Sequence, residues 1–510
     1  MTDKKNFPSV EPPPHPEESG KVTPNNSQIS SAPSPLDVME PTSVETEEAV
    51  AEGLEQPISS QSTTTPQEIT KMPKKGVPKI VLIILGVMAI VIVFLLIIMF
   101  VKNRGGIGGG DLIGTKGRLT WWGLQNEESV VQPLIDEYQK RNPNIKIDYI
   151  KQKPNDYRER LTNALASGEG PDIYEMHNSW KPMFRNDLSA MPANIMSSEE
   201  YTKTFYPIIY SDMLSEEGIV GIPLEYDALT LYINEDIFTS ALKSPPTTWN
   251  ELTQLATDLT QRGPNKLIIQ SGVALGLTDN VDHWPEILAL MMLQNHADLA
   301  KPQENVTQDA ILFYLSFAKG GLNWDSAQPP STLAFARNKL AMYFAPTLKA
   351  ANIIKENSNL RFRTIPLPQL PKDNPSDPDF SYVTYWAQGV WKKSKNAEVA
   401  WDFLKFASSP ESLQSINNNR KASGQLEKAY PRPDMAILQK DDKILGSIIV
   451  DAPSAKSWYL AKDTNDGLTG INSQINKVYE EAVGTQDLKK AVIALPGKIN
   501  EILTKYTSKR

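Results

Sequence analysis

The sequence predicts an α/β protein with a wound strand–helix core, on three observations. From residue 118 onward, segments of apolar/polar alternation trade places with segments of helical spacing. A second region of helices and strands follows near residue 248. Between the two runs GIPLEYDALTLYINEDIF (221–238), whose first half alternates and whose second half, ALTLYI, is apolar at nearly every position. Successive strand side chains point to opposite faces, so this stretch reads as one strand leaving a half-exposed setting for a buried one. Glu225 and Asp227 stand where the setting changes.

The elements follow in order. RLTWWGL (118–124) is β-rich and closes with the polar turn QNEES. SVVQPLIDEYQKRNP places Val131, Leu134, Ile135 and Tyr138 at helical spacing, and Pro143 stops it. IKIDYI alternates as a strand. DYRERLTNALASGEG sets Tyr157, Leu161 and Leu165 on one helix face, with Gly168 as C-cap. PDIYEM is a short third strand. This alternation predicts a parallel sheet with right-handed crossovers, whose ligands bind beyond the carboxyl ends of the strands. Those ends are Gly123–Glu127 and His177–Trp180. In SPPTTWNELTQLATDLT, Thr248 and Glu251 form a capping box, and Trp249, Leu252, Leu255, Ala256 and Leu259 form a buried stripe. KLAMYFAP and LRFRTIPLP read as strands. AEVAWDFLKFASSPESLQSI reads as two helices, the second with Ser409 as N-cap and Pro410 in first position.

Composition narrows the function classes. The 510 residues carry a net charge of −8, but residues 1–70 hold three Lys and twelve Asp or Glu, leaving the other 440 near neutral. No basic stretch suggests a nucleic-acid partner. The absence of cysteine excludes disulfides, thiolate catalysis, thiolate zinc sites and a Cys-linked lipid. The four His have no helical ligand spacing, which argues against a His-rich metal centre, and no cofactor is expected.

Residues 1–76 contain twelve Pro and one aromatic, Phe7, and read as a disordered acidic tail, either a docking segment or a solvated spacer. Ile80–Val101 is a run of 22 residues without a charge. As a helix it would extend roughly 33 Å, enough to cross a hydrocarbon core of about 30 Å. Four basic residues before the span (Lys71, Lys74, Lys75, Lys79) and four after it (Lys102, Arg104, Lys116, Arg118) leave its orientation undecided by charge. Residues 102–116 form a Gly-rich tether.

The ordered body, from about Gly117 to Tyr506, resembles the extracellular solute-binding proteins of the maltodextrin and glycerol-phosphate-binding type, which serve ATP-driven importers. The resemblance rests on an ordered series: LTWWG, QPLIDEYQKRNPNIKI, ASGEGPDIYEMHN, GIPLEYDALTLYINEDIF, PPTTWNELTQLATDLT, AFARNKLAMYFAP, KKSKNAEVAWDFLKFASSPES and DAPSAKSWYLA. It implies a two-lobed periplasmic-binding-protein-like type II fold over 117–508. Lobe 1 would comprise about 117–228 and 388–432, and lobe 2 about 229–387 and 433–508. Solute would be caught between the lobes, and an ABC permease would be the partner of a monomeric receptor. It also implies an extracellular body and a cytoplasmic tail, with the uncleaved span replacing the usual anchor. Carried over by motif, the candidate ligand residues are Trp122, Gln125, Asn126 and Glu127; His177, Asn178 and Trp180; Glu225 and Asp227; His283 and Trp284; Tyr385, Trp386 and Gln388; and Trp458. Interior packing is the competing role for Trp180, Asp227, Trp284, Trp386 and Trp458. Trp121, Trp249 and Trp401 read as core, and Asp172 as a turn stabiliser. Leu348 stands near the place where sugar binders of this type carry a stacking Trp.

Two other readings compete. A glycosidase would use two carboxylates, and Glu225 and Asp227 lie roughly 7 Å apart along one strand face. A sensor would signal through the span to the acidic tail.

Overall fold

The computed structural model describes residues 117–507, apart from 373, 375, 377 and 378. The expected tail (1–76), apolar span (80–101) and Gly-rich tether (102–116) lie outside the described residues. Among those described, no helix is long and apolar enough to cross a membrane.

The first three strands pair in parallel, as the alternation of strands and helices predicts. Gly117–Gly123 lies between Ile145–Lys151 and Ile173–His177. Trp386–Val390 then adds antiparallel to Ile173–His177, and the short strand Ile222–Pro223 closes the sheet. Helix Glu128–Arg141 buries Val130, Val131, Leu134, Ile135 and Tyr138 in this lobe's core. Helix Tyr157–Ser167 ends at Gly168, whose φ of 82° is the left-handed conformation that glycine adopts without a Cβ penalty. Asp172 accepts from the Thr120 amide at 2.8 Å and from the Ser394 hydroxyl, tying the first strand to the segment after the last one.

A second five-stranded sheet is ordered Phe362–Ile365, Leu229–Asn234, Leu340–Pro346, Ile268–Val273, Gln261–Arg262. Every residue of Leu229–Asn234 and of Leu340–Pro346 is buried, which accounts for their unbroken apolar runs. Helix Trp249–Leu259 packs on this sheet through its predicted stripe, and the Thr248/Glu251 capping box is formed. Burial of each large side chain in that stripe contributes about 1.5–3 kcal/mol. The approach is closest at Gly272, where a Cβ would collide with the Ala256 carbonyl.

The two sheets have separate cores, and the chain passes from one to the other three times. Core membership changes between Ala228 and Leu229, between Tyr382 and Val383, and between Ala455 and Leu460. The second passage falls earlier, and the third later, than the ranges expected from sequence. Val383 and Tyr385 join the first core before the strand Trp386–Val390 begins, and helix Gly446–Asp451 contributes Ile448 and Ile449 to that same core. The stretch read as one continuous strand is two. Ile222–Pro223 belongs to the first sheet and Leu229–Asn234 to the second. Between them the backbone forms isolated bridges, Tyr226 to Ala429 and Ala228 to Val383, instead of a continuous ladder.

Candidate functional site

A cavity of about 590 Å³ opens where the passages converge. The first lobe lines it with Glu225–Asp227, with Thr384–Trp386, and with residues from the end of helix Pro410–Ala422 and the loop after it. The second lobe contributes His283, Pro346–Leu348, the helix Lys349–Glu356 and Lys462–Asp463. Its volume suits a small organic solute.

Glu225 lies at the centre of a buried charge network. Its Oε2 accepts from Arg420 Nη2 at 2.7 Å, and its Oε1 from Lys428 Nζ at 2.5 Å. Arg420 also donates to Asn417 Oδ1 and to Asn126 Oδ1. Burial alone would raise the Glu225 pKa, but Lys428 and Arg420 outweigh it and hold the carboxyl below its ordinary value. Nearby Glu175 is shifted the other way, raised by burial and by repulsion from Glu225, although its Oε2 accepts from the Leu124 and Gln125 amides. Arg420 is aimed inward because its helix packs on helix Glu128–Arg141, where Asn419 donates to the Val130 carbonyl.

Asp227 joins the lobes directly. Its carboxylate accepts from its neighbour Ala228 N at 2.8 Å and, across the junction, from Thr347 N at 2.8 Å, Thr347 Oγ1 at 2.7 Å and Leu348 N at 3.0 Å. Burial pushes its pKa up to about 6 against the pull of those donors. The two acids that marked the change of pattern therefore both serve protein partners, one within a lobe and one between lobes. Neither stands free as a general acid or base.

Of the residues picked out from sequence, Glu225, Asp227, His283, Tyr385 and Trp386 line the cavity. Asn126 stands one step behind it, on Arg420. His177 also stands one step behind, its Nε2 2.7 Å from Thr384 Oγ1 and its Nδ1 2.7 Å from Ser179 Oγ. Burial lowers the His177 pKa to about 3, so the ring is neutral. Asn178 donates to Asp212, which also accepts from the Tyr385 hydroxyl at 3.1 Å and from Ser457 Oγ, pinning two passages together. The remaining seven lie outside the lining. Trp180 is fully buried and stacks on Tyr157, and Trp284 is packed in the second core. Gln388 is buried and accepts from Trp121 Nε1 at 2.8 Å. Trp122 packs partly buried on the first core and Trp458 on the second. Gln125 donates its backbone N–H to Glu175, and exposed Glu127 pairs with Lys151 at 2.9 Å. Trp121, Trp249 and Trp401 are core residues, as expected.

Sequence reasoning missed Arg420, Lys428, Lys355, Lys462 and Asp463. They sit at a helix end or in loops, where no periodicity marks a residue as facing a cavity. The backbone signal at Asp463 and Asn465 is a left-handed φ of 55° and 50°, which turns the chain sharply after the third passage.

The family profile described as bacterial extracellular solute-binding protein matches residues 122–414, more than half of the chain. The chain belongs to that family. Its members are binding proteins rather than enzymes, in keeping with the engaged carboxylates at this site. A protein of Escherichia coli named as an ABC transporter periplasmic-binding protein is 19% identical over 401 residues, covering 75% of this chain and 91% of its own. Among solved structures, the sugar-binding protein MalE of Xanthomonas citri superposes with a TM-score of 0.61 at 20% identity, over 76% of this chain and 98% of its own. The cyclic α-maltosyl-1,6-maltose binding protein of Arthrobacter globiformis gives 0.60 at 15%, over 77% and 100%. At these identities the superpositions establish the two-lobed α/β fold of this solute-binding protein.

Proposed function

We propose that the body is an extracellular receptor that closes its lobes on a carbohydrate and hands it to an ABC-type importer, working as a monomer. The observation that carries this reading is the cavity at the lobe junction, lined from both sides. A ligand bridging both walls has contacts in the closed form that it lacks in the open one, and so shifts the population toward closure. That structural neighbours are sugar-binding proteins supports the solute class. The uncharged run Ile80–Val101 supports a single membrane span that tethers the body outside, with residues 1–76 in the cytoplasm.

The test is a thermal-shift screen of the full-length protein in detergent against mono- and oligosaccharides, polyols and peptides. A ligand at about 100 times its dissociation constant should stabilise by about 2.7 kcal/mol. Stabilisation by peptides alone would overturn the carbohydrate reading, and turnover of a bound oligosaccharide would overturn the receptor reading. Deleting residues 1–70 should leave solute uptake intact, whereas a sensor signalling through the tail would lose its output.

A further inference from the structure

Resting on the carbohydrate reading of the same cavity, we infer that the solute is an anionic carbohydrate, one bearing a carboxylate or a phosphate. Three features of the walls converge on it.

The first is an asymmetry in hydrogen-bond engagement between acids and bases. Each carboxylate lining the cavity already holds a protein donor. Glu225 holds Arg420 and Lys428, and Asp227 holds two residues of the opposite lobe. Glu427 holds Lys421, Asp463 holds Lys349, and Asp442 holds the Ile444 and Leu445 amides. Among the described residues, the ammonium groups of Lys355 and Lys462, both lining the cavity, make no hydrogen bond or ion pair. Acids and bases lining the cavity are equal in number, so what it offers a newcomer is these two uncommitted ammonium donors rather than a net positive charge. The Lys462 amide donates to Glu286 Oε1 at 2.7 Å, which fixes its backbone beside His283.

The second is His283, 1% exposed, whose Nε2 has no hydrogen-bond partner. Its Nδ1 lies 3.4 Å from Glu286 Oε1. Nε2 lies 3.9 Å from Asp463 Oδ2, beyond hydrogen-bond distance, and so is open to a solute atom that can donate or accept. It suits a hydroxyl of the solute, placed next to the charge held by Lys462.

The third is the apolar surface. Leu348, Ile354 and Leu426 are 39%, 36% and 38% exposed and lie on opposite walls of the same cavity, while Tyr385 and Trp386 are almost wholly buried. The aliphatic side chains give the CH face of a ring a contact without an aromatic plate. With less gained from stacking, more of the discrimination falls to charge.

The test is calorimetry on the full-length protein in detergent. The anionic probes are digalacturonate for carboxylate and glucose 6-phosphate for phosphate, and the neutral controls are maltose and glucose. At least one anionic probe should bind about tenfold or more tighter than the neutral sugar of equal ring number. The margin should shrink when ionic strength rises from about 0.02 M to about 0.5 M. Lys355→Met/Lys462→Met should abolish the preference, and the Lys355→Arg/Lys462→Arg pair should retain it. Neutral sugars binding as tightly as anionic ones would overturn the inference and leave the carbohydrate reading standing. Inorganic phosphate binding as tightly as glucose 6-phosphate would overturn it as well, reducing the feature to an ion site. Binding of neither class would overturn both readings.

Discussion

Arg420→Met isolates the buried network behind the cavity wall. The side chains of Arg420 and Glu225 are 3% and 7% exposed, so the substitution leaves a carboxylate in the interior with one cationic partner instead of two. Methionine keeps most of the apolar stem, so the loss is chiefly electrostatic. Removing one partner of a buried pair costs about 3–5 kcal/mol. Lys428 still holds Glu225 Oε1, which places this case near the lower end, about 3 kcal/mol. In Glu225→Gln/Arg420→Met the under-partnered buried carboxylate is gone, and the remaining cation, Lys428, is 25% exposed. The double variant should therefore lose about 1.5 kcal/mol or less, a non-additivity characteristic of residues in one network. Thermal unfolding of the four full-length proteins, followed by circular dichroism, reads the cycle. The pH dependence has a definite sign. Lys428 and Arg420 hold the Glu225 pKa below its ordinary 4.5, so the stabilisation is complete above that value and disappears as pH falls through the lowered one. The deficit of Arg420→Met should shrink in acid accordingly. A single-variant loss below about 1 kcal/mol, or strict additivity in the double, would refute the picture of a desolvated, mutually dependent pair.

Three further outcomes are expected. Asp451 is buried with a single long bond, from Leu367 N at 3.4 Å, and burial raises its pKa from 3.8 to about 7. The folded state therefore binds the proton more tightly, and stability falls as pH rises through that window; Asp451→Asn should flatten the fall, a gain of up to about 4 kcal/mol at pH 8 and none near pH 4, read by denaturation at each pH. Asp227→Ala strands the Thr347 and Leu348 amides, costs about 1–3 kcal/mol and weakens ligand affinity by loosening the Pro346–Leu348 turn; lost affinity at unchanged melting temperature would instead show a direct ligand contact. Gly272→Ala forces a methyl group into the Ala256 carbonyl and should cost about 3 kcal/mol or more, measured by thermal unfolding, with no compensating change at the cavity.

Much of the architecture was legible in the sequence because it is written in short-range repeats. The stripe of Trp249, Leu252, Leu255, Ala256 and Leu259, the Thr248/Glu251 capping box, the Gly168 terminus and the Ser409–Pro410 helix start all depend on residues within a few positions of one another. The change of pattern at Ala228 was legible for the same reason, since burial on both faces leaves no place for polar alternation. The cavity was only partly legible. Asp227 meets Thr347 at a separation of 120 residues and Glu225 meets Arg420 at 195, and no periodicity links such positions.

By itself, then, the sequence determined the α/β class, the run of elements, the two apolar sheet cores and the first point of passage between them. Tertiary structure alone decided that Glu225 and Asp227 are held by Arg420, Lys428 and the Thr347–Leu348 turn, that Trp180 and Trp284 are interior, and that Lys355 and Lys462 reach the cavity unpaired. The physical reason is one of range. Backbone geometry and hydrophobic periodicity act over one or two turns of chain, whereas a carboxylate takes its character from whatever donors folding brings within hydrogen-bond distance.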